Sequence, residues 1–182
     1  MPDNDFGYTA WSKDWLRLAE PLSLTKPEPL LPRARGIARN DGVVTEISGT
    51  VVRAHIHRGS EASVTHLELT PFSRDTIEAL GRLIPPDALV LSDELRAAVS
   101  EAGIAIAPRL LSSDCSCRAR LDRCLHMLAT CYAVVRQIDE NPWLALDLQG
   151  YRSTAAAPES AVPTAPPRWT PLDTLDPAAY FG

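Results

Sequence analysis

DCSCRARLDRCLHML, residues 114–128, is the stretch on which the fold of the C-terminal half depends. It holds three of the chain's four cysteines and one of its four histidines. These residues, Cys115, Cys117, Cys124 and His126, have the spacing C-x-C-x6-C-x-H. Because the chain has so few cysteines and histidines, a chance cluster of this kind is improbable, and the stretch predicts shared chemistry.

The four side chains form a complete ligand set for one structural zinc ion, which takes four Cys or His donors at about 2.0–2.3 Å. Residues two apart in an extended segment point the same way, so Cys115 and Cys117 can share the ion. We expect Cys124 and His126 at the start of the following helix, where the first turn lets their donors converge. Zinc bound in this way contributes on the order of 10–16 kcal/mol, enough to order a segment with little apolar surface.

A redox pair, a catalytic Cys–His pair and a catalytic zinc site are the alternatives to a structural zinc ion. A redox dithiol usually has the spacing C-x-x-C, which Cys115 and Cys117 do not match. A catalytic pair would use only two of the four residues, and a catalytic zinc ion needs an open coordination position. A closed structural site accounts for all four residues, and a redox switch at Cys115 and Cys117 that releases zinc remains an alternative.

The residues before the cluster predict an N-terminal α+β domain, residues 1–112. Its first element is a helix, because Trp11, Trp15 and Leu18 recur at helical spacing. Prolines then interrupt residues 21–32, which predicts an ordered linker.

A small antiparallel sheet with flanking helices completes this domain. The Asn-Asp-Gly of residues 40–42 is a hairpin signal, because these residues tolerate the positive φ of a tight turn. Alternating apolar and polar residues predict three strands with one buried face. The predicted strands are residues 43–48, 50–57 and 63–70. Two helices follow, with Ser73 and Ser92 as their N-caps.

Two further segments follow the N-terminal domain. Residues 113–150 comprise the zinc-binding segment, a turn or strand, and an apolar helix in which we expect Cys131 to be a core residue rather than a ligand. Residues 151–182 are rich in Ala, Ser and Pro, which predicts a disordered tail. The tail ends in a short apolar motif, for which two interpretations stay open. The motif is either a linear segment that docks onto a protein surface or part of a tail that stays free.

The net charge of −5 argues against nucleic-acid binding by the whole surface. Residues 109–138, however, carry a net charge of +3, and Arg118, Arg120 and Arg123 are its candidate nucleic-acid contacts. No apolar run is long enough to cross a membrane. The N-terminus lacks the basic and apolar regions of a signal peptide, so we expect a cytoplasmic protein without a membrane partner.

The sequence CSCRARLDRCLH resembles the SWIM zinc finger, whose signature is C-x-C-x(n)-C-x-H. The likeness is to the bacterial, especially actinobacterial, form of the family. It extends to FGYTAWSKDWLRLAE (6–20), LPRARGIARNDGVV (31–44), DENPW (139–143), LQG (148–150) and DPAAYFG (176–182). The loop RARLDR and Leu125 depart from the Pro/Trp-containing loop and the Lys that relatives often have, but no ligand changes.

The resemblance implies a non-catalytic protein that binds DNA or a protein through one structural zinc ion. SWIM modules occur in Swi/Snf-type ATPases, in MuDR-like transposases and in small bacterial proteins encoded with such helicases, so a Swi/Snf-type helicase is a candidate partner. We expect no enzymatic activity, because the chain has no Walker loop, G-x-S-x-G, H-E-x-x-H or dinucleotide fingerprint. The alternative is a metal-dependent enzyme accessory that uses His55, His57 and His66 on the predicted strands.

Overall fold

A computed structural model of the protein describes residues 6–23, 28–58, 61–117, 119 and 123–152. The helices are α1 (Ala10–Ala19), α2 (Leu31–Arg39), α3 (Arg74–Leu83), α4 (Asp93–Glu101), α5 (Leu125–Glu140) and α6 (Leu144–Asp147). The strands are β1 (Val43–Ser48), β2 (Val51–Arg58), β3 (Glu61–Leu69) and β4 (Leu110–Cys115). The predicted α+β class, an antiparallel sheet with flanking helices, is confirmed. The predicted tail lies outside the described residues, apart from Tyr151 and Arg152.

The four strands form one antiparallel sheet in the order β1-β2-β3-β4. The three predicted strands correspond to β1, β2 and β3. On β2, Val52, Ala54 and Ile56 are buried, whereas Arg53 and His57 are exposed. The predicted alternation is therefore confirmed, and one face of the sheet is open to solvent.

Strand β4 is the strand that alternation does not predict. Its residues, LLSSDC, are mostly exposed, so no apolar stripe marks them. It forms because β3 offers a free edge, and backbone pairing joins Thr65 to Cys115 and Glu68 to Ser112. β4 crosses the predicted boundary between residues 112 and 113, and apolar side chains from both sides of that boundary share one core.

Helix α2 begins at the end of the predicted linker, and the linker prediction is wrong only over its last two residues, Leu31 and Pro32. Pro32 occupies the first turn of the helix, where a missing N–H and a fixed φ cost little. Leu31, Ala34 and Ala38 then form its buried stripe. The predicted hairpin signal instead joins this helix to β1, and Asp41 adopts the positive φ, 53°, that the turn needs.

The central helix of the described chain is α5, whose existence the apolar run predicts. Eleven of its sixteen residues are buried, because it packs against α1, α2 and all four strands. Tyr132 and Val135 are completely buried in its middle. A helix that is apolar on nearly every face must be enclosed in this way.

The buried carboxylate of Asp139 attaches the far end of α5 to the start of α1. It accepts hydrogen bonds from the backbone N–H groups of Gly7, at 2.8 Å, and Thr9, at 3.0 Å. The hydroxyl of Ser12, in the first turn of α1, also bonds to this carboxylate. Asp139 thus satisfies donors at a helix N-terminus, where negative charge is also favoured by the helix dipole.

Replacing this carboxylate should destabilise the whole fold. We expect Asp139→Asn to lower the free energy of unfolding by about 2–4 kcal/mol, because an amide N–H₂ group would face buried donors. Urea denaturation followed by circular dichroism measures the change. The control is Glu140→Gln, since Glu140 is exposed and its ion pair with Arg136 is long, 3.7 Å. Equal stabilities of the two variants would contradict the role of Asp139.

Candidate metal centre

The four predicted zinc ligands lie on two elements that meet at one end of the sheet. Cys115 is the last residue of β4, and Cys117 follows two residues later. Cys124 is the N-cap of α5, and His126 is the second residue of that helix. The expected position of the second ligand pair, at the start of the helix, is confirmed.

The donor atoms of Cys115, Cys117, Cys124 and His126 all lie within 4.8 Å of one another. The Sγ atom of Cys115 is 3.8 Å from Nδ1 of His126. A tetrahedral zinc ion with Zn–S of about 2.3 Å and Zn–N of about 2.0 Å separates its donors by about 3.5–3.8 Å. The cluster can therefore hold one metal ion, and the residues fit that ion without rearrangement of the fold.

Pairing with β3 positions the first two cysteines. Beyond the end of β4, the N–H of Ser116 donates to the Val64 carbonyl at 2.9 Å, and the Val64 N–H donates to the Ser116 hydroxyl at 2.9 Å. These bonds extend the ladder by one residue. Because side chains alternate along an extended backbone, Cys115 and Cys117 project to the same side.

A buried hydroxyl pair holds α5 against β3 beside the cluster. Thr65 of β3 is paired with Cys115, and its hydroxyl is 2.7 Å from that of Thr130 on α5. The Thr130 hydroxyl also bonds to the carbonyl of His126 at 3.0 Å. Strand register and helix position are thereby fixed together, which brings His126 to the two cysteines on the other element.

Cys124 caps the start of α5. Its backbone is extended, with φ −75° and ψ 164°, and its Sγ atom accepts a hydrogen bond from the N–H of Met127 at 3.5 Å. Sulfur thus occupies the capping position that Ser, Thr or Asp usually fills.

The surroundings of Cys115 disfavour its ionised form. Burial raises the pKa of the Cys115 thiol to about 12, and a backbone hydrogen bond from Cys117 only partly offsets this effect. Hydrogen bonds with the Cys117 and Cys124 side chains add to the rise in pKa. A bound metal ion would have to displace the Cys115 proton, which couples metal affinity to pH.

The remaining cysteine and the strand histidines stay apart from this cluster. Cys131 is buried in α5, as expected for a core residue, and burial raises its pKa to about 12. His55 lies 3.9 Å from the carboxylate of Glu46 on the open face of the sheet. In the part of the chain that the structure describes, the Cys₃His cluster is the one group of three or more ligands close enough to share a metal ion. The structure thus does not bring His55, His57 and His66 together as a second metal site.

Of the three candidate nucleic-acid contacts, Arg118 and Arg120 lie outside the described residues. Arg123 donates from Nη1 to the carbonyl of Leu18 at 3.1 Å and from Nη2 to that of Ala19 at 2.6 Å. Sequence analysis misses these bonds because the carbonyls are more than a hundred residues away along the chain. Contact between Arg123 and a nucleic acid stays a prediction.

Comparisons of the chain with protein-family models, curated proteins and solved structures found no match. The likeness to the SWIM finger therefore depends on the residues quoted above, and the geometry of the four ligands is compatible with a zinc finger. None of the helices among the described residues has both the length and the apolar character needed to cross a bilayer.

Loss of one ligand should weaken metal binding, whereas loss of the core cysteine should not. We expect about one zinc ion per wild-type chain and much less than one in Cys117→Ser, because a hydroxyl is a poor fourth donor for zinc. Elemental analysis after gel filtration measures the ratio. Cys131→Ala is the matched control, which removes a thiol but no ligand and should keep one ion per chain. Equal zinc content in the two variants would contradict the assignment of the site.

Proposed function

We propose that this protein is a zinc-binding, non-catalytic interaction protein of the SWIM type. The observation that carries the proposal is the convergence of three cysteines and one histidine, in the order C-x-C and C-x-H, at a strand end and a helix start. Three thiolates and one imidazole are the soft donors that suit zinc.

The proposed role of the ion is structural. Four protein donors complete a tetrahedral shell, so no position is left for a substrate or an activated water. The other three histidines lie on β2 and β3, outside the cluster. These features support an interaction protein rather than a metal-dependent enzyme.

The ion would also fix both ends of a short basic loop. Cys117 and Cys124 bound the loop RARLDR, and shared coordination would hold its ends a few ångströms apart. Six mostly polar residues offer little apolar surface to bury, and connecting segments of this composition usually run over the surface of a protein. Arg118 and Arg120 in this loop are the residues we assign to contact with an anionic partner, which we take to be DNA. Arg123 is left out of this assignment because its guanidinium already bonds to two carbonyls.

Binding to DNA should depend steeply on salt and on this loop. We expect the zinc-loaded protein to bind duplex DNA at about 50 mM salt and to lose affinity as salt rises, because phosphate contacts release counterions. Arg118→Ala/Arg120→Ala should reduce the slope of log affinity against log salt by about 2, one unit per arginine. Fluorescence anisotropy with a labelled duplex measures both quantities.

The matched control is Arg74→Ala/Arg82→Ala, which removes the same charge from α3. An equal loss of affinity in the two double variants would show that only net charge matters, and would contradict the role of the loop. The alternative partner is a protein. It would be supported by a complex with a Swi/Snf-type helicase that persists in high salt and is lost on chelation. The same complex, without DNA binding at about 50 mM salt, would contradict DNA as the partner.

A further inference from the structure

Arg123 connects the metal centre to the C-terminal end of α1. It directly precedes the ligand Cys124 in the chain, and its guanidinium donates to the carbonyls of Leu18 and Ala19 at 3.1 and 2.6 Å. Helix α1 ends at Ala19, so both carbonyls belong to the last turn and have no partner within the helix. Arg123 thus satisfies two free acceptors at the negative end of a helix dipole.

The third donor group of this guanidinium is unused. The Nε atom of Arg123 is buried and has no hydrogen-bond partner among the described residues. A buried N–H without a partner is unfavourable, and metal ligands are commonly supported by donors from neighbouring side chains. Arg123 therefore has one unused donor, on the residue that directly precedes the ligand Cys124 in the chain.

The charge of Arg123 suits a loaded metal site. With three thiolates, one neutral imidazole and a divalent ion, the loaded site would carry a net charge of −1. A fixed positive charge on the residue that precedes Cys124 would therefore be attracted to the loaded site.

The end of α1 is also held by a second group of side chains. The carboxylate of Glu20, next to Ala19, accepts bonds from Arg35 on α2, at 2.5 Å, and from the hydroxyl of Tyr132 on α5. Glu20 itself continues the last turn, since its N–H donates to the Leu16 carbonyl at 2.8 Å. Movement of Arg123 would therefore disturb the end of α1 at the point where α1, α2 and α5 meet.

We propose that Arg123 couples metal loading to the docking of α1: it is a positioning residue that stabilises the metal-bound site while holding the end of that helix. The inference rests on the metal-binding part of the proposed function. Coupling of this kind is reciprocal. The free energy by which docking of α1 strengthens metal binding equals the free energy by which metal binding strengthens the docking of α1.

The test compares Arg123→Gln with Arg136→Gln in the full-length protein, with zinc as the metal. Arg136 is a matched control because it lies at the other end of α5 and donates to a carbonyl of α2, that of Ala38, at 3.1 Å. Competition with a chromophoric chelator gives the zinc dissociation constants. We expect Arg123→Gln to weaken zinc binding by about 10–100-fold and Arg136→Gln by no more than about twofold.

Hydrogen exchange supplies the readout that a merely structural role would not change. In the wild type, chelation should speed amide exchange in residues 16–20 by a factor comparable to the loss of zinc affinity in Arg123→Gln. In Arg123→Gln these amides should already exchange fast, and chelation should add little. Arg136→Gln should respond to chelation as the wild type does.

Unchanged zinc affinity in Arg123→Gln, or exchange in residues 16–20 that does not respond to chelation in the wild type, would overturn the proposal. If Arg123→Gln does not fold, Arg123→Lys replaces it; this variant keeps the charge and one donor and should bind zinc with intermediate affinity. A wild-type protein that binds no zinc would instead contradict the proposed metal-binding function. The two failures are therefore distinguishable.

Discussion

The enclosure of α5 is the constraint on which the rest of the structure depends. With eleven of sixteen residues buried, this helix must be covered by α1 and α2 and by the sheet, because exposure of so much apolar surface would be unfavourable. Polar groups fix both of its ends. Cys124 and His126 begin it, and Asp139 near its other end bonds to the start of α1.

Because α5 is held over its whole length, the candidate metal centre receives half of its ligands from a rigid element. The other half comes from the end of β4, which β3 holds in register. The Thr65–Thr130 bond between β3 and α5 joins the two halves beside the ligands. The fold therefore brings the four donors within 4.8 Å of one another through packing of the elements, and a metal ion would add stability to an arrangement that the core already favours.

The parts of the fold predicted from sequence are those fixed by local patterns. The alternation of β1, β2 and β3, the N-caps Ser73 and Ser92, and the ligand pair at the start of α5 all depend on residues close together in the chain. Strand β4 and the partners of Arg123 depend on elements distant in sequence, so no local pattern indicates them. Helix α2 is not predicted for another reason. A proline inside a helical segment usually ends the helix, but Pro32 lies in the first turn, where a proline is tolerated.

The same distinction separates the ligands from the arginines between and beside them. A ligand set can be recognised from spacing because coordination fixes which residue types must meet. An arginine has no such signature in the sequence, since its guanidinium can bind a phosphate, a carboxylate or the carbonyl groups at a helix end equally well. Arg35 and Arg123 both have partners within the protein, a carboxylate in one case and two carbonyls in the other. The arginines of a positive segment in an acidic chain can therefore serve to stabilise the fold. Comparison of a variant of each arginine with a variant of a matched arginine elsewhere separates that role from recognition of a partner.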